Sequence, residues 1–568
     1  MNENGPKKRI KKSLKELKKP LIGGGMVASV AIVGIIGGIV VLTQENNKSS
    51  IMIYGTHGGL YELDPLLFGN FEVYALLENI VDPLFQYEFT SEGSSIVSCL
   101  ALNGTWSDDG LNFTCNLRRG VKFHDGTPFN ATAVQWNFDR LDNLLFSTPG
   151  WYLWFHPGWT PILNRTVVID EYIIRFVLTR PFVPFKSLLA RGPNIVSPSS
   201  TPFDNFTFFD SGNLVGTGPF KHESTVRSWD PVLEEYIWHN TTLVANHDYY
   251  GIGPSFDKII IKTYHDHDEL KEAMLSEEID VAMSGFPAVV FENKTGINLL
   301  EKVNTEVNFI TMNNSVVNST MRKAISYALD YDKLVPYGLN FTGSATSAVR
   351  CKSPLSKGML YSNWEDFEVP VYNITKSRQF LKDANLPGTS GLTVNDNIST
   401  GNEWEKLVSE GTPLATYNFS YPVGVDWRKE IALLFQNNLT QIGINVTTVG
   451  KTVPDYWDTL TTDQFILYGW VPDYNDPHNN LLPNFVTFNN LGQVQDAYLE
   501  QLIDDGMVET NETARKQIYY DIQKYMIEDL YPVIWWYTTE VFIPISTRIE
   551  GYNQYNNYGM AWNEWYFI

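Results

Sequence analysis

The amino-acid sequence predicts an α/β fold class, because strand-like and helix-like segments alternate along most of its 568 residues. Residues 233–238 and 256–264 are rich in β-branched and aromatic side chains, as strands are. Residues 268–276 and 426–442 instead place apolar side chains at helical spacing. The segments do not recur at a fixed period, which excludes a repeat array. A chain of this length has too many residues to pack around one hydrophobic core, so we expect two or three lobes.

The N-terminal part has the pattern of a membrane anchor. Residues 1–19 carry eight lysines and arginines, and residues 20–44 follow without any charged side chain. A helix of that length, at about 1.5 Å per residue, spans the hydrocarbon core of a bilayer. Since a positive flank stays in the cytoplasm, we expect a single-pass signal-anchor at 20–44, a linker at 45–50 and an extracellular body. A cleaved signal peptide fits less well, because its apolar region runs only about 7–15 residues.

The composition of the chain excludes some partners and suggests one modification. A formal net charge of −22 disfavours nucleic-acid binding, since an acidic body repels phosphate backbones. Seventeen Asn-x-Ser/Thr sequences follow the apolar run, whereas chance would give roughly seven. This excess predicts a glycosylated exported surface, although we expect some of these asparagines to be buried and unmodified.

The cysteines are too few and too dispersed for a zinc or iron–sulfur site, and no metal or other cofactor is predicted. Export permits a disulfide, and Cys99 and Cys115 flank a hairpin whose turn is at Asp109–Gly110. Simple pairing about this turn sets Cys115 opposite Gly104 rather than Cys99, so a bridge and two free thiols both stay open. Cys351 is expected to be free in either case.

One polar stretch has the composition of a metal site. Residues 265–269 read His-Asp-His-Asp-Glu, but consecutive side chains do not converge on one ion, and we interpret this stretch as a helix start. No glycine-rich loop of the type that cradles phosphates occurs in the chain. Any ATP hydrolysis therefore belongs to a partner.

Five motifs occur in a fixed order along the chain. They are residues 106–128, 216–220, 278–281, 312–313 and 321–330. In order and spacing they resemble the family 5 extracellular solute-binding proteins, which are the peptide- and nickel-binding receptors of ABC importers. The resemblance covers nearly all of residues 51–532.

The resemblance implies a two-lobed, three-domain, periplasmic-binding-protein-like fold of type II, similar to cluster C, that closes on its ligand about a hinge. Domain I would be assembled from residues 51–81, 213–285 and 530–568. Domain II would comprise residues 82–212, inserted between the first two of these segments. Domain III, residues 286–529, would form the opposing lobe, and the ligand would lie between the lobes.

Residues 468–477 resemble the loop that anchors the ligand in this family. In peptide-binding members its first aspartate takes the α-ammonium of the ligand, and here that residue would be Asp473. A desolvated carboxylate makes a short, charge-assisted bond to an ammonium, so the chemistry is sound. Trp470 would form an apolar wall, with Val471 and Asn475 beside it. The alternative is that Asp473 only caps a turn, a role that aspartate commonly takes.

Other ligand contacts are implied from the first two domains. Trp151 matches the place where peptide-binding members present an aromatic side chain from domain II. Phe71, with Gly69 and Asn70, lies in the region that meets an extended ligand from domain I. Backbone groups there would pair with a peptide as a strand does, which gives affinity without reading the peptide sequence.

The sequence departs from dipeptide-specific members at residues 417–421. Those members place an arginine before the helix that corresponds to residues 426–442, where it clamps the ligand carboxylate, and here there is none. This favours a longer peptide, or a non-peptide ligand such as an oligosaccharide or a metal chelate.

The function we expect is that of a membrane-anchored receptor, not an enzyme, that delivers peptides to the permease subunits of an ABC transporter. A surface glycan hydrolase is the alternative from another class. It requires two carboxyl groups about 5–9.5 Å apart, and no pair in the sequence signals them. A sensory or adhesion protein of the same fold is a third hypothesis, weakened by the short cytoplasmic segment.

Overall fold

The computed structural model divides into two units, residues 1–49 and residues 50–568. The residues that it describes are 31–35, 38–42, 50–57, 64–66, 71–90, 93–144, 155–156, 160–205, 209, 213–230, 235–283, 286, 288–338, 347–395, 402–487, 489–552 and 562–568.

In the first unit, two short strands lie within the stretch predicted as a spanning helix. Strands β1 (Ala31–Ile35) and β2 (Gly38–Leu42) pair antiparallel. Isoleucine and valine dominate both segments, and their branched side chains favour strands. No helix among the described residues is both long and apolar enough to cross a membrane. The rest of residues 20–44, the basic segment 1–19 and most of the linker 45–50 lie outside the described residues.

The second unit contains the remaining strands. They are β3 (Ile51–His57), β4 (Phe85–Thr90), β5 (Gly93–Ser98), β6 (Ala101–Trp106), β7 (Asn112–Leu117), β8 (Phe155–His156), β9 (Thr160–Pro161), β10 (Leu163–Asp170), β11 (Ile173–Leu178), β12 (Phe220–Asp230), β13 (Glu235–Ala245), β14 (Lys258–Tyr264), β15 (Val281–Met283), β16 (Ile297–Lys302), β17 (Val307–Met312), β18 (Ser347–Arg350), β19 (Ala415–Pro422), β20 (Ile444–Lys451), β21 (Phe465–Trp470), β22 (Val533–Ser546), β23 (Ile549–Glu550) and β24 (Tyr566–Phe567).

Helices alternate with these strands. They are α1 (Phe71–Leu77), α2 (Ala131–Leu144), α3 (Phe185–Arg191), α4 (His267–Leu275), α5 (Ala288–Phe291), α6 (Ser319–Ala328), α7 (Tyr331–Leu334), α8 (Ile374–Asp383), α9 (Glu403–Ser409), α10 (Asp426–Thr440), α11 (Val453–Asp458), α12 (Pro477–Phe485), α13 (Ala497–Val508) and α14 (Glu512–Tyr525). Short 3-10 turns at Val335–Tyr337 and Trp562–Glu564 and a π-turn at Met526–Leu530 complete them. The alternation confirms the predicted α/β class.

A twelve-stranded sheet runs through the second unit. Its strand order is β12-β13-β14-β3-β15-β22-β17-β21-β19-β20, and β16 and β18 also pair with β22. Strand β22 is 14 residues long and joins the two halves, since its first part pairs with β17 and its last part with β15 and β16. A separate sheet of order β10-β11-β7-β6 packs against α2.

Apolar side chains of the second unit pack into several distinct clusters. One contains Phe113, Phe138 and Phe176, from the four-stranded sheet and α2. A second joins residues of β3 and β14 to Trp562 and Trp565 near the C-terminus. Two more lie on either side of β17, packed against α6 and α10 or against α12 to α14. The domain boundaries given above stay a prediction.

The hairpin that carries Cys115 has the register predicted from its turn. Cys115 on β7 pairs with Gly104 on β6, so Cys99 is not opposite it. All three cysteines are free and buried, which corrects the suggested bridge between Cys99 and Cys115. Burial raises the pKa of each thiol above its ordinary value.

The stretch 265–269 forms the start of α4, as interpreted from the sequence. The Asp266 carboxylate accepts a hydrogen bond of 2.8 Å from the Glu269 N–H and so caps this helix. His267 stacks on His57, with ring centroids 4.1 Å apart. Among the described residues, no group of three or more metal-ligating side chains converges.

Candidate functional site

The predicted anchor loop leaves the sheet at an edge where three parallel strands end. Strand β19 runs parallel to both β20 and β21, so Pro422, Lys451 and Trp470 end their strands at one edge of the sheet. In α/β sheets, loops at the carboxyl ends of parallel strands form ligand sites. Asp473 follows the last of these strands by three residues.

The main chain of this loop is fixed from two sides. The Asn479 side-chain oxygen accepts a bond of 2.7 Å from the Asp473 N–H, and the Asn479 carbonyl accepts one of 3.0 Å from the Trp470 indole. The Arg191 Nε donates a bond of 2.9 Å to the Asp473 carbonyl. Asp473 and Trp470 are half-buried, and Val471 is 41% exposed. The structure thus holds the backbone of the predicted anchor, and Asp473 as a residue is only half-buried.

Asn475, which the sequence placed among the ligand contacts, is fully buried. Its side-chain nitrogen donates to the Ser94 hydroxyl at 2.9 Å and to the Gly358 carbonyl at 3.0 Å. Its side-chain oxygen accepts from the Leu360 N–H at 3.1 Å, and its own N–H donates to the Tyr87 hydroxyl at 3.1 Å. The amide of Asn475 is therefore engaged by the protein and supports the loop. A direct ligand contact by this residue stays a prediction.

A buried ion pair beside Asn475 was not predicted. The Asp476 carboxylate receives two bonds from Arg515, of 2.9 and 3.0 Å, and a third of 3.0 Å from the Ser187 hydroxyl. It also accepts from the His478 N–H at 3.0 Å and so caps α12. Burial alone would lower the pKa of Arg515, but the Asp476 carboxylate, together with Tyr519 and Tyr361, outweighs it and raises that pKa well above its usual range. This pair fixes the end of the loop.

The residues of the predicted domains I and II that were expected to meet the ligand are only partly described. Phe71 begins α1, and the Arg191 guanidinium lies 3.5 Å from the centre of the Tyr74 ring on the same helix. Because Arg191 also bonds to Asp473, it brings α1 and the anchor loop together. Glu78 follows α1, and burial raises its pKa to about 8, opposed by Arg191. Three predicted residues lie outside the described residues: Trp151, Gly69 and Asn70.

Sequence reasoning missed the supports of the loop because they come from distant parts of the chain. Arg515 is 39 residues from Asp476, and Arg191 is 282 residues from Asp473. One signal was present: an aspartate before a proline is typical of a helix N-terminus, and Asp476 precedes Pro477. This signal indicates that Asp476 caps a helix, but it does not indicate that Arg515 pairs with Asp476.

Comparisons with known proteins agree with this architecture. The family model described as bacterial extracellular solute-binding proteins, family 5 Middle, matches residues 95–492. The Escherichia coli (strain K12) protein named "Probable D,D-dipeptide-binding periplasmic protein DdpA" is 26% identical over 471 residues, which cover 78% of this chain and 80% of that protein. Heme-binding protein A of Haemophilus influenzae is 26% identical over 499 residues, with coverage of 82% and 83%.

The structure of HbpA2 from Haemophilus parasuis superimposes with a TM-score of 0.73. It covers 91% of this chain and 100% of that one, at 18% identity, a level that supports the fold alone. The fold is thus the α/β periplasmic-binding-protein-like fold. Because the family model matches well over half of its residues, this chain belongs to the bacterial extracellular solute-binding proteins of family 5.

Proposed function

We propose that this protein is the membrane-anchored receptor of an ABC importer, and that it captures peptides longer than a dipeptide at the 470–473 loop. The family binds solutes and does not transform them, so the site has to hold a ligand rather than react with it. The E. coli relative is named for D,D-dipeptides, which supports a peptide ligand.

One observation carries the proposal. The main chain of Asp473 is held by Asn479 and Arg191, while the residue itself is only half-buried and follows Trp470 by three positions. A carboxylate whose backbone is already ordered loses little further entropy when it pairs with an ammonium. The short bond to a charged donor is also stronger than a neutral one. These two properties suit the capture of a free peptide amino terminus.

The absence of an arginine in β19 sets the proposed length of the peptide. This strand, Ala415–Pro422, leads to α10 and carries no arginine or lysine. A dipeptide carboxylate would find no fixed cation at that point. In a longer peptide, the carboxylate lies beyond this position and needs no partner there.

The membrane anchor and the transfer of the ligand to the permease are proposed from the sequence and from the family. The uncharged residues 20–44 behind a basic flank support an anchor in the membrane. We expect the full chain to stay in the membrane pellet after alkaline carbonate extraction, and a variant that begins at residue 50 to become soluble. Release of the full chain by carbonate would contradict the anchor.

The ligand class is tested by substitution of Asp473. We expect Asp473→Asn to weaken the binding of peptides with a free amino terminus by at least about tenfold, or about 1.4 kcal/mol, in isothermal titration. N-acetylated versions of the same peptides should lose much less. The exposed Asp504, substituted as Asp504→Asn on α13, is the matched control and should change neither affinity.

Two outcomes would contradict this proposal. An equal loss for free and acetylated peptides would remove the ammonium role of Asp473. Mass spectrometry of the ligand released from purified protein should find short peptides, and recovery of a sugar, a haem or a metal chelate in their place would overturn the peptide class.

A further inference from the structure

A cavity of about 670 Å³ adjoins side chains that support the anchor loop. Ser94, Ser187 and Arg515 line this cavity, and the same three side chains bond to Asn475 and Asp476. The predicted ligand residues Trp470 and Asp473 are not in its wall. Its volume falls within the range of about 300–1,000 Å³ that small-molecule sites occupy.

The wall of this cavity combines aromatic rings with uncharged polar groups. Trp106, Tyr361 and Tyr520 contribute half-buried rings. Hydroxyl and amide groups lie around them, from Ser95, Thr510, Thr513 and Gln517. The Ser362 hydroxyl and the Asn363 amide also line the cavity but bond to Leu355, Asp366 and Gln523 of the protein. Aromatic rings pack against the C–H faces of a sugar, and hydroxyl and amide groups both donate to and accept from its hydroxyls. This is the chemistry that recognises a carbohydrate.

The charges of the wall favour an acidic sugar. Lys516 lies 3.7 Å from Glu512, so its charge is partly compensated. Lys186 also lines the cavity, and among the described residues it forms no ion pair with a carboxylate; its ammonium lies 5.6 Å from the Phe85 ring centre. A carboxylate on the sugar would provide Lys186 with a charge-assisted partner.

A predicted glycosylation sequence flanks the same cavity. Asn511 is exposed and lies between the lining residues Thr510 and Glu512. Its side-chain oxygen accepts from the Ala514 N–H at 3.0 Å and caps α14, while the nitrogen that glycosylation modifies is not needed for the cap. By contrast, Asn313 and Asn438 are 4% and 5% exposed, so these two sequences are not accessible to modification.

We propose that this cavity is a carbohydrate-binding site, distinct from the 470–473 loop, that takes one or two sugar units and prefers an acidic one. The sugar comes either from a glycan on Asn511 of the same chain or from free solute. The chemistry of recognition is the same for both sources, and the inference does not depend on which ligand the anchor loop binds.

The test uses the full chain produced without glycans and titrated with glucuronic acid, N-acetylglucosamine and glucose. We expect glucuronic acid to bind to the wild type, and its affinity to fall at least about tenfold in Tyr520→Ala. Tyr498→Ala is the matched control, because Tyr498 is a 56% exposed helical tyrosine outside the cavity, and its affinity should be unchanged. Should Tyr520→Ala fold poorly, Ser95→Trp fills the cavity from an exposed strand position and gives the same expected loss.

Two further variants test the preference for an acidic sugar and the source of the bound sugar. Lys186→Gln should weaken glucuronic acid several-fold and leave glucose unchanged. Asn511→Asp removes the glycan acceptor and keeps a capping carboxylate. In protein from a glycosylating host, free sugar binding that appears only in Asn511→Asp assigns the site to the chain's own glycan, whereas equal binding assigns it to free solute. If the unglycosylated wild type binds none of the three sugars, or Tyr520→Ala and Ser95→Trp bind as the wild type does, the carbohydrate site is overturned.

Discussion

Asp476 and Asp82 are both buried carboxyl groups, and their surroundings compensate them differently. Asp476, behind the anchor loop, receives two bonds from the Arg515 guanidinium. Asp82, at the end of the segment that follows α1, is 4% exposed and accepts a bond of 2.7 Å from the Thr217 hydroxyl. Its surroundings are hydroxyl and thiol groups with a more distant arginine, and burial raises its pKa to about 6.

The comparison shows what a guanidinium adds to a buried carboxylate. A hydroxyl can satisfy the hydrogen bonds of the carboxylate but cannot offset the cost of desolvating its charge. The Asp476 region therefore forms a doubly hydrogen-bonded pair with Arg515 that supports the 470–473 loop. The Asp82 region instead changes its charge near neutral pH. Arg191 donates a bond to the Asp473 carbonyl and opposes the rise in the pKa of Glu78.

The largest expected effect comes from breaking the ion pair. Arg515→Met leaves the Asp476 carboxylate buried without its cation, so we expect the free energy of unfolding to fall by about 3–5 kcal/mol in urea titration. Arg165→Met is the control, because Arg165 is exposed on β10, and it should change that free energy by less than about 0.5 kcal/mol. Asp476→Asn combined with Arg515→Met should recover part of the loss, since no buried charge remains. A loss below 1 kcal/mol for Arg515→Met would mean that the pair does not support the loop.

A smaller effect, which depends on pH, is expected from Asp82. Its folded-state pKa of about 6 exceeds the value near 3.8 of an unfolded aspartate, so the folded state binds more protons between these values. The stability contributed by this group is fully present below pH 4 and is lost as the pH rises through 6. We expect the wild type to lose on the order of 1–3 kcal/mol relative to Asp82→Asn between pH 4 and pH 8.

Urea unfolding of both proteins across this range measures the difference. Asparagine keeps an oxygen that accepts from Thr217, so the substitution removes the charge and little else. His124 and the buried His478, whose pKa values are lowered to about 4 by desolvation, act in the opposite direction. Both proteins retain these histidines, so their contribution cancels in the difference. Parallel pH curves for the two proteins would mean that Asp82 is solvated or paired in solution.

The sequence was sufficient for local structure in the second unit. Helical spacing at 426–442 and the capping chemistry at 265–269 predicted α10 and α4, and both are confirmed within a few residues. The turn at Asp109–Gly110 fixed the register that places Cys115 opposite Gly104. These features depend on neighbours in the chain, which a single sequence contains.

The supports of the site depend on long-range contacts, which a single sequence does not contain. Asn475 was placed among the ligand contacts because it lies in the loop that resembles the ligand anchor of the family, yet its amide is engaged by Ser94 and Leu360. A motif gives the order of residues in a loop but not which of them face inward. Residues 31–42 show a related limit, because a run of isoleucine, valine and glycine has no periodicity that separates a strand from a helix.

The smallest expected effect concerns Cys99, whose sulfur lies 3.4 Å from the Tyr250 hydroxyl in the Asp82 region. Because all three thiols are buried and their pKa values are raised, we expect a thiol reagent to modify none in the folded protein and three after unfolding. A reductant should shift Tm by less than about 1 °C, whereas loss of a disulfide would cost about 2–5 kcal/mol. If only one thiol reacts after unfolding, Cys99 and Cys115 are bridged by a disulfide. Rapid modification of Cys99 in the folded state would instead show that water reaches this region, and the raised pKa of Asp82 would then lack its cause.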